Sequence, residues 1–195
     1  DSSSDYARSK AAGETAVLEA IPTATIMRPS IIFGPEDQFF NRFAAMARLS
    51  PALPLIGGGE TKYQPVYVKD VAAAMTAALQ QPEWNGKVLE LGGPEVATFA
   101  ELMELTLKEI GRSRPLVKLP SFVAKAIASV LQILPAPLLT VDQVELLKHD
   151  NVVSEGALGL SDLGIEPSAM SAVLPAYLYR FRRTGQFADG TTSGT

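Results

Sequence analysis

Cysteine is absent from the 195 residues, which excludes disulfides, thiolate nucleophiles and zinc sites of the cysteine type. There is one histidine, His149, so a histidine cluster cannot hold a metal and no metal site is expected. A single histidine near the end of a helix is read as a surface residue rather than a catalytic one. Basic blocks and aromatic–basic stripes are missing as well. With 17 basic and 21 acidic residues the formal net charge is -4, which gives nucleic acid no electrostatic footprint. Long hydrophobic runs are also lacking. The most apolar stretch, 119–134, contains Lys125 and Gln132 and is bounded by Pro120 and Pro135, so it is too short and too interrupted to cross a bilayer. No secretory pattern is visible within these residues.

What is present is ordinary globular material. Apolar residues make up 47% and charged residues 19%, enough for a core in one domain or one and a half. Ser4 or Asp5 can cap an alanine-rich helix that Pro22 closes. Residues 23–28 read as a strand ended by Pro29, 38–49 as a helix, 53–56 as a strand, 63–68 as an irregular strand because of Pro65, and 87–91 as a strand. Asp70 falls in the first turn of a helix reaching about residue 81, where the helix dipole favours an acid. Thr98 and Glu101 form a capping box for a helix that Gly111 stops, and Thr140 with Gln143 form a second one. Residues 116–119 are a short strand, 121–133 an apolar helix, 161–163 a turn and 168–183 a final helix. The polar tail from Gly185 is expected to be disordered. Alternating helices and strands followed mostly by helices predict an α/β fold with a parallel sheet and a helical portion added late.

The chemistry-bearing motif is Tyr6-Ala-Arg-Ser-Lys10. Residues four apart share a helix face, so the phenol and the ammonium can point into one site. A nearby cation favours a phenolate, the form that exchanges protons with an alcohol or carbonyl near neutral pH. By contrast, Gly57-Gly58-Gly59 lies between two strands and reads as a turn, not as a phosphate loop, which needs G-x-G-x-x-G between a strand and a helix.

Further residues follow in a recognisable order: Arg28-Pro29-Ser30-Ile31-Ile32-Phe33-Gly34-Pro35, then Gln64-Pro65-Val66-Tyr67-Val68-Lys69-Asp70. With Tyr6 and Lys10 these resemble the extended short-chain dehydrogenase/reductase superfamily, of the NAD-dependent epimerase/dehydratase type. Residues 34–42 and Leu91-Gly92-Gly93-Pro94 are similar to its atypical branch, related to the 39 kDa accessory subunit of respiratory complex I. The resemblance runs over 6–183. It implies a Rossmann-like parallel sheet in 1–92, interleaved with substrate-domain segments at about 35–65, and a mostly helical substrate-type domain in 93–184. It implies that Tyr6 is the acid/base phenol and that Lys10 binds the nicotinamide ribose. Pro29, Ser30 and Ile31 would line the nicotinamide pocket, which agrees with ligand binding at the carboxyl ends of strands in open α/β sheets. Phe39, Phe40 and Asn41 would face substrate, with Tyr63, Gln64 and Tyr67 on the far side of the cleft. Asp70 resembles a structural acid.

The Gly-rich phosphate loop of that superfamily and its acidic ribose ligand are not found in these residues, and the partner serine falls upstream of Asp1. The chain is therefore expected to be the carboxyl-terminal portion of a longer protein, lacking on the order of a hundred residues. In that expectation NAD or NADP binds the parent, and this chain alone is inactive and binds none. The expected partners are the amino-terminal half, a respiratory complex or a membrane surface contacted by 121–133, and a second copy through an exposed sheet edge. The expected location is the cytoplasm or the matrix-equivalent side of an energy-transducing membrane. The parent is read as an accessory protein with a structural cofactor, or alternatively as an active NAD(P)-dependent epimerase, dehydratase or reductase on a small or sugar-nucleotide substrate.

Overall fold

The computed structural model describes residues 5–131 and 141–183. Helix α1 (Asp5–Ala20) opens the chain and ends where expected, since Pro22 has no N–H to continue it. Strand β1 (Ile26–Pro29) runs parallel to β6 (Val88–Leu91), with Ile26 opposite Val88 and Pro29 opposite Leu91. β1 thus starts three residues later than predicted and includes Pro29 rather than ending before it. In a parallel ladder only alternate residues bond to a given neighbour. The next donor is the Ser30 amide, 2.9 Å from the Leu91 carbonyl, so the missing N–H of Pro29 is not needed.

The strand predicted over 63–68 is two strands. β4 (Lys62–Tyr63) pairs antiparallel with β7 (Ala97–Thr98), and β5 (Val66–Tyr67) pairs parallel with β2 (Ile32–Phe33). Gln64 and Pro65 form the break, because proline cannot carry the ladder across. β3 (Leu53–Ile56) pairs parallel with β8 (Leu116–Leu119). The expected sheet therefore consists, among the described residues, of four two-stranded ladders, three of them parallel. Gly57, Gly58 and Gly59 make the turn after β3, with φ of 65°, 89° and 84°, a region open to residues without a Cβ.

The helices are α2 (Phe40–Leu49), α3 (Val68–Gln80), α4 (Phe99–Glu109), α5 (Ser121–Leu131), α6 (Val141–Leu146), α7 (Met170–Val173) and α8 (Pro175–Leu178). The Thr98 box at α4 forms as predicted: the Glu101 amide donates to Thr98 Oγ1 (3.2 Å) and the Thr98 amide to Glu101 Oε2 (2.7 Å). The helix predicted over 168–183 is instead α7, α8 and a 3-10 turn at Tyr179–Phe181. Pro175 removes one helical donor in the middle of it. The box at Thr140 and the tail from Gly185 lie outside the described residues.

Three apolar clusters hold these elements. The largest joins α2, α4 and the α7–α8 region through Phe40, Ala44, Leu102, Met103 and Leu174, all wholly buried. A second packs α3 on the β1–β6 pair through Val71, Ala74, Leu89 and Leu91. The third sets α5 and α6 against β3 through Ala124, Ala128, Val144 and Ile56. The segment 150–168 stitches the clusters by hydrogen bonds. Ser30 Oγ donates to the Asn151 carbonyl (2.7 Å), the Val153 amide to Gln64 Oε1 (3.0 Å), and the Ser154 amide to Glu90 Oε2 (2.8 Å). The Ser168 amide and hydroxyl both donate to the buried Asp70 carboxylate (2.7 and 3.1 Å).

Candidate functional site

Helix α1 brings Tyr6 to the rim of a cavity of about 600 Å3. Tyr6 is 55% exposed, and Lys10 sits with Nζ 5.6 Å from the centre of its ring. The pair thus shares one helix face, as its spacing requires, with the cation over the aromatic face. Lys10 does not line the cavity. Ile31, just past the carboxyl end of β1, does. Its neighbour Ser30 is buried, and its hydroxyl is held between the Asn151 carbonyl and the Gln64 amide.

The cleft residues divide. Phe40, expected to face substrate, is the first residue of α2 and wholly buried in the core. Phe39, expected to face substrate as well, lines the cavity. Asn41 donates to the Pro35 and Asp37 carbonyls, accepts from Arg180 at 2.7 Å, and lies outside the cavity lining. Gln64 is engaged at both ends of its amide, donating to the Gly93 carbonyl (2.8 Å) and accepting from the Val153 amide (3.0 Å). That bond explains Gly92-Gly93: a Cβ on Gly92 would meet Gln64 at 2.5 Å, and one on Gly93 would meet the Pro65 carbonyl oxygen at 2.0 Å. Tyr67 packs on Phe33 with centroids 5.6 Å apart, while Tyr63 lines the cavity. Burial, reinforced by Asp150, pushes the Tyr63 phenol well above its ordinary value.

Several lining residues were not singled out from the sequence. Phe43 and Met46 stand at helical spacing after Phe39 along the inner face of α2, and Phe99 closes the floor from α4. Phe43 meets Phe39 at 5.2 Å and 67° and Phe99 at 5.4 Å and 70°, edge-to-face arrangements that rings prefer. Arg42 also lines the cavity, and its burial lowers the guanidinium pKa from the usual value. The i, i+3, i+4, i+7 pattern of Phe39, Arg42, Phe43 and Met46 was the available signal. His149, read as a surface residue, is exposed and borders the cavity as well. Among the described residues no group of acids and histidines could hold a metal ion.

Beside the cavity, Asp37 organises the chain after β2. Its Oδ1 accepts from the Phe39 and Asn41 amides (3.0 and 3.1 Å), and its Oδ2 accepts from the Gly34 amide (3.3 Å) and the Tyr177 hydroxyl (2.5 Å). These bonds satisfy donors at the start of α2. Burial first, then the Asp37 carboxylate, pushes the Tyr177 phenol far above its ordinary value. Arg180 from the last turn adds a bond to the Pro35 carbonyl (2.9 Å).

This geometry has known counterparts. Residues 1–92 match the family described as NAD dependent epimerase/dehydratase family. A mitochondrial NADH dehydrogenase (ubiquinone) 1 alpha subcomplex subunit 9 of Arabidopsis thaliana is 42% identical over 95% of this chain and 49% of its own length. The mitochondrial NADH-ubiquinone oxidoreductase 40 kDa subunit of Neurospora crassa is 32% identical over 96% of this chain and 49% of its own. The chain spans about half the length of the curated relatives it matches. Among solved structures, a Thermus thermophilus UDP-glucose 4-epimerase in complex with NAD superposes with a TM-score of 0.60, covering 90% of this chain and 53% of that one at 19% identity; that likeness concerns the fold. With its α/β, Rossmann-like arrangement, the chain matches the NAD-dependent epimerase/dehydratase family over residues 1–92 and is related over nearly its whole length to mitochondrial NADH dehydrogenase subunits.

Proposed function

We propose that this chain forms the substrate-side part of an NAD(P)-binding protein of a respiratory NADH dehydrogenase, in which the cofactor serves to hold structure. The observation that carries this reading is the engagement of the polar side chains around the cleft. Ser30, Gln64 and Asn41 each spend polar side-chain atoms on hydrogen bonds within the chain, which ties them to the fold and not to a reacting group. The residues at the carboxyl end of β1 fit the nicotinamide end of a cofactor. Tyr6 offers a hydroxyl at the cavity rim, Lys10 an ammonium on the same helix face, and Ile31 with Pro29 an apolar surface. In this role Tyr6 and Lys10 bind the ribose hydroxyls, and Ser30 positions Ile31 without touching the cofactor. NAD(P), when bound, supplies hydride-transfer chemistry.

Likeness to the complex I subunits over nearly the whole chain supports a place at the matrix side of an energy-transducing membrane. Among the described residues no helix is long and apolar enough to cross one. On α5, Ala124 and Ala128 are buried while Phe122 is 75% exposed, which suits contact with a neighbouring protein or a headgroup layer. A second reading, an active reductase, is favoured by Tyr6 standing at the cavity rim beside Lys10.

The test uses the intact protein that carries this chain, with NAD(P)H binding followed by fluorescence and oxidation followed against a panel of carbonyl compounds. Tight cofactor retention without turnover is the expected result. Turnover that disappears in Tyr6→Phe would overturn it in favour of the reductase.

A further inference from the structure

We infer that the cavity under Tyr6 takes a ligand with a long hydrocarbon chain and a small polar head, and not a nucleotide-linked sugar. This rests on the reading above and names the ligand class of that same site. Its volume of about 600 Å3 falls within the range of small-molecule pockets. The interior is built by Phe39, Phe43 and Phe99, locked edge to face, with Met46, Ile56 and Ile127 completing the walls. These surfaces come from four elements of separate origin, α2, β3, α4 and α5, so the apolar character is not the accident of one helix face.

Polar residues also reach the lining, namely Tyr6, Gln38, Arg42, Tyr63, His149, Asp150 and Asn151, and two of them are engaged elsewhere. Asp150 Oδ1 accepts from the Lys62 amide at 2.8 Å. The Asn151 backbone donates to the Lys62 carbonyl and accepts from Ser30 and the Gln64 amide. Burial raises the Tyr63 phenol further above its ordinary value, so it offers an anion no cationic partner. A sugar diphosphate carries two negative charges and several hydroxyls. Each polar group buried without a partner costs about 1–3 kcal/mol, and an unpaired charge costs more. Arg42 and His149 are the cationic or titratable partners that the lining offers to a diphosphate. A hydrocarbon chain needs no partners, and each Å2 of apolar surface it buries contributes about 25 cal/mol. The polar rim, with Tyr6 55% exposed and His149 exposed, suits a small head such as a carboxylate, hydroxyl or carbonyl.

The test titrates the intact protein with cis-parinaric acid, an eighteen-carbon fluorescent acyl probe, with NADPH binding read in the same samples. We expect saturable binding, displaced by stearate if the natural chain is acyl or by farnesol if it is isoprenoid; displacement by either supports the inference. Ile127 lines the cavity yet is 43% exposed, so a charge there keeps a route to water. Ile127→Asp should weaken probe binding by about tenfold or more, and Ile127→Trp, which fills space without adding charge, should weaken it as well. Leu79→Asp, at a site 88% exposed and outside the cavity, should leave it unchanged. Displacement by UDP-glucose, binding that does not saturate, or Ile127 variants that bind like the parent would overturn the inference. Probe binding without NADPH binding would instead sink the cofactor reading while leaving this one standing.

Discussion

Helices α1 and α2 flank one cavity, and the rest of the chain treats them in opposite ways. α1 spans 16 residues, yet Tyr6, Val17 and Ile21 on it and just after it are 44–57% exposed. Glu14 ties it ionically to the strands, accepting a fork of bonds from Arg28 at 2.6–3.1 Å. α2 spans 10 residues and buries Phe40, Ala44 and Ala47 completely. Asp37 fastens its start, and the Arg114 guanidinium donates to the Ala47 carbonyl near its end (3.0 Å). The exposed helix carries the Tyr6–Lys10 pair and the buried one carries the wall. A site divided in this manner can keep the shape of its wall while the group at the rim stays accessible, which is the usual division between a scaffold and a functional edge.

Substitutions should break that contrast unequally. On the fixed side, Gly93→Ala places a Cβ 2.0 Å from a backbone oxygen that has no rotamer with which to move away. We expect a loss of about 3 kcal/mol or more, the upper end of overpacking costs, seen as a lower midpoint in urea unfolding. Asp37→Ala removes the acceptor for three amides and a buried phenol at once. A lost helix-start cap and an orphaned hydroxyl together predict about 2–3 kcal/mol, with Tyr177→Phe recovering part of it in the double variant because the orphan is gone. On the exposed side, Glu14→Gln should cost less than about 1 kcal/mol, since Arg28 is half in water. Hydrogen exchange should show faster exchange confined to α1.

Acid sharpens the same contrast. The Arg28 guanidinium holds the Glu14 carboxyl below its usual 4.5. A depressed carboxyl contributes fully above the unfolded value and loses its contribution as pH falls through the folded one. Exchange in α1 should therefore accelerate below about pH 4.5, and Glu14→Gln should abolish that acceleration.

Local spacing made much of this legible in advance. Tyr6–Lys10, the Thr98–Glu101 box, β3, β8 and the Asp70 helix start each depend on residues within a few positions of one another, where propensity and capping rules act directly. The misread strand boundaries at Pro29 and Pro65 turned on which way an amide faces in a ladder, and that depends on the partner strand. Phe39 and Phe40 could not be told apart from sequence because the choice of inward ring is set by where α2 begins, which Asp37 fixes. Asp37 itself gave no signal. Its decisive partner, Tyr177, is 140 residues away, and no periodicity reaches that far.

The stitching by 150–168 also has a kinetic consequence. Ser30 meets Asn151 across 121 positions, Asp70 meets Ser168 across 98 and Gln64 meets Val153 across 89. Each contact closes a long loop, and its entropy must be lost before the bond forms, a pattern associated with slow folding. During synthesis, at about 5–20 residues per second, β1, β2 and α3 emerge several seconds before the segment that seals them. Through that interval the Ser30 hydroxyl and the Asp70 carboxylate lack their final partners, and the cavity has no far wall. The last third of the chain therefore sets the moment at which the site comes into existence.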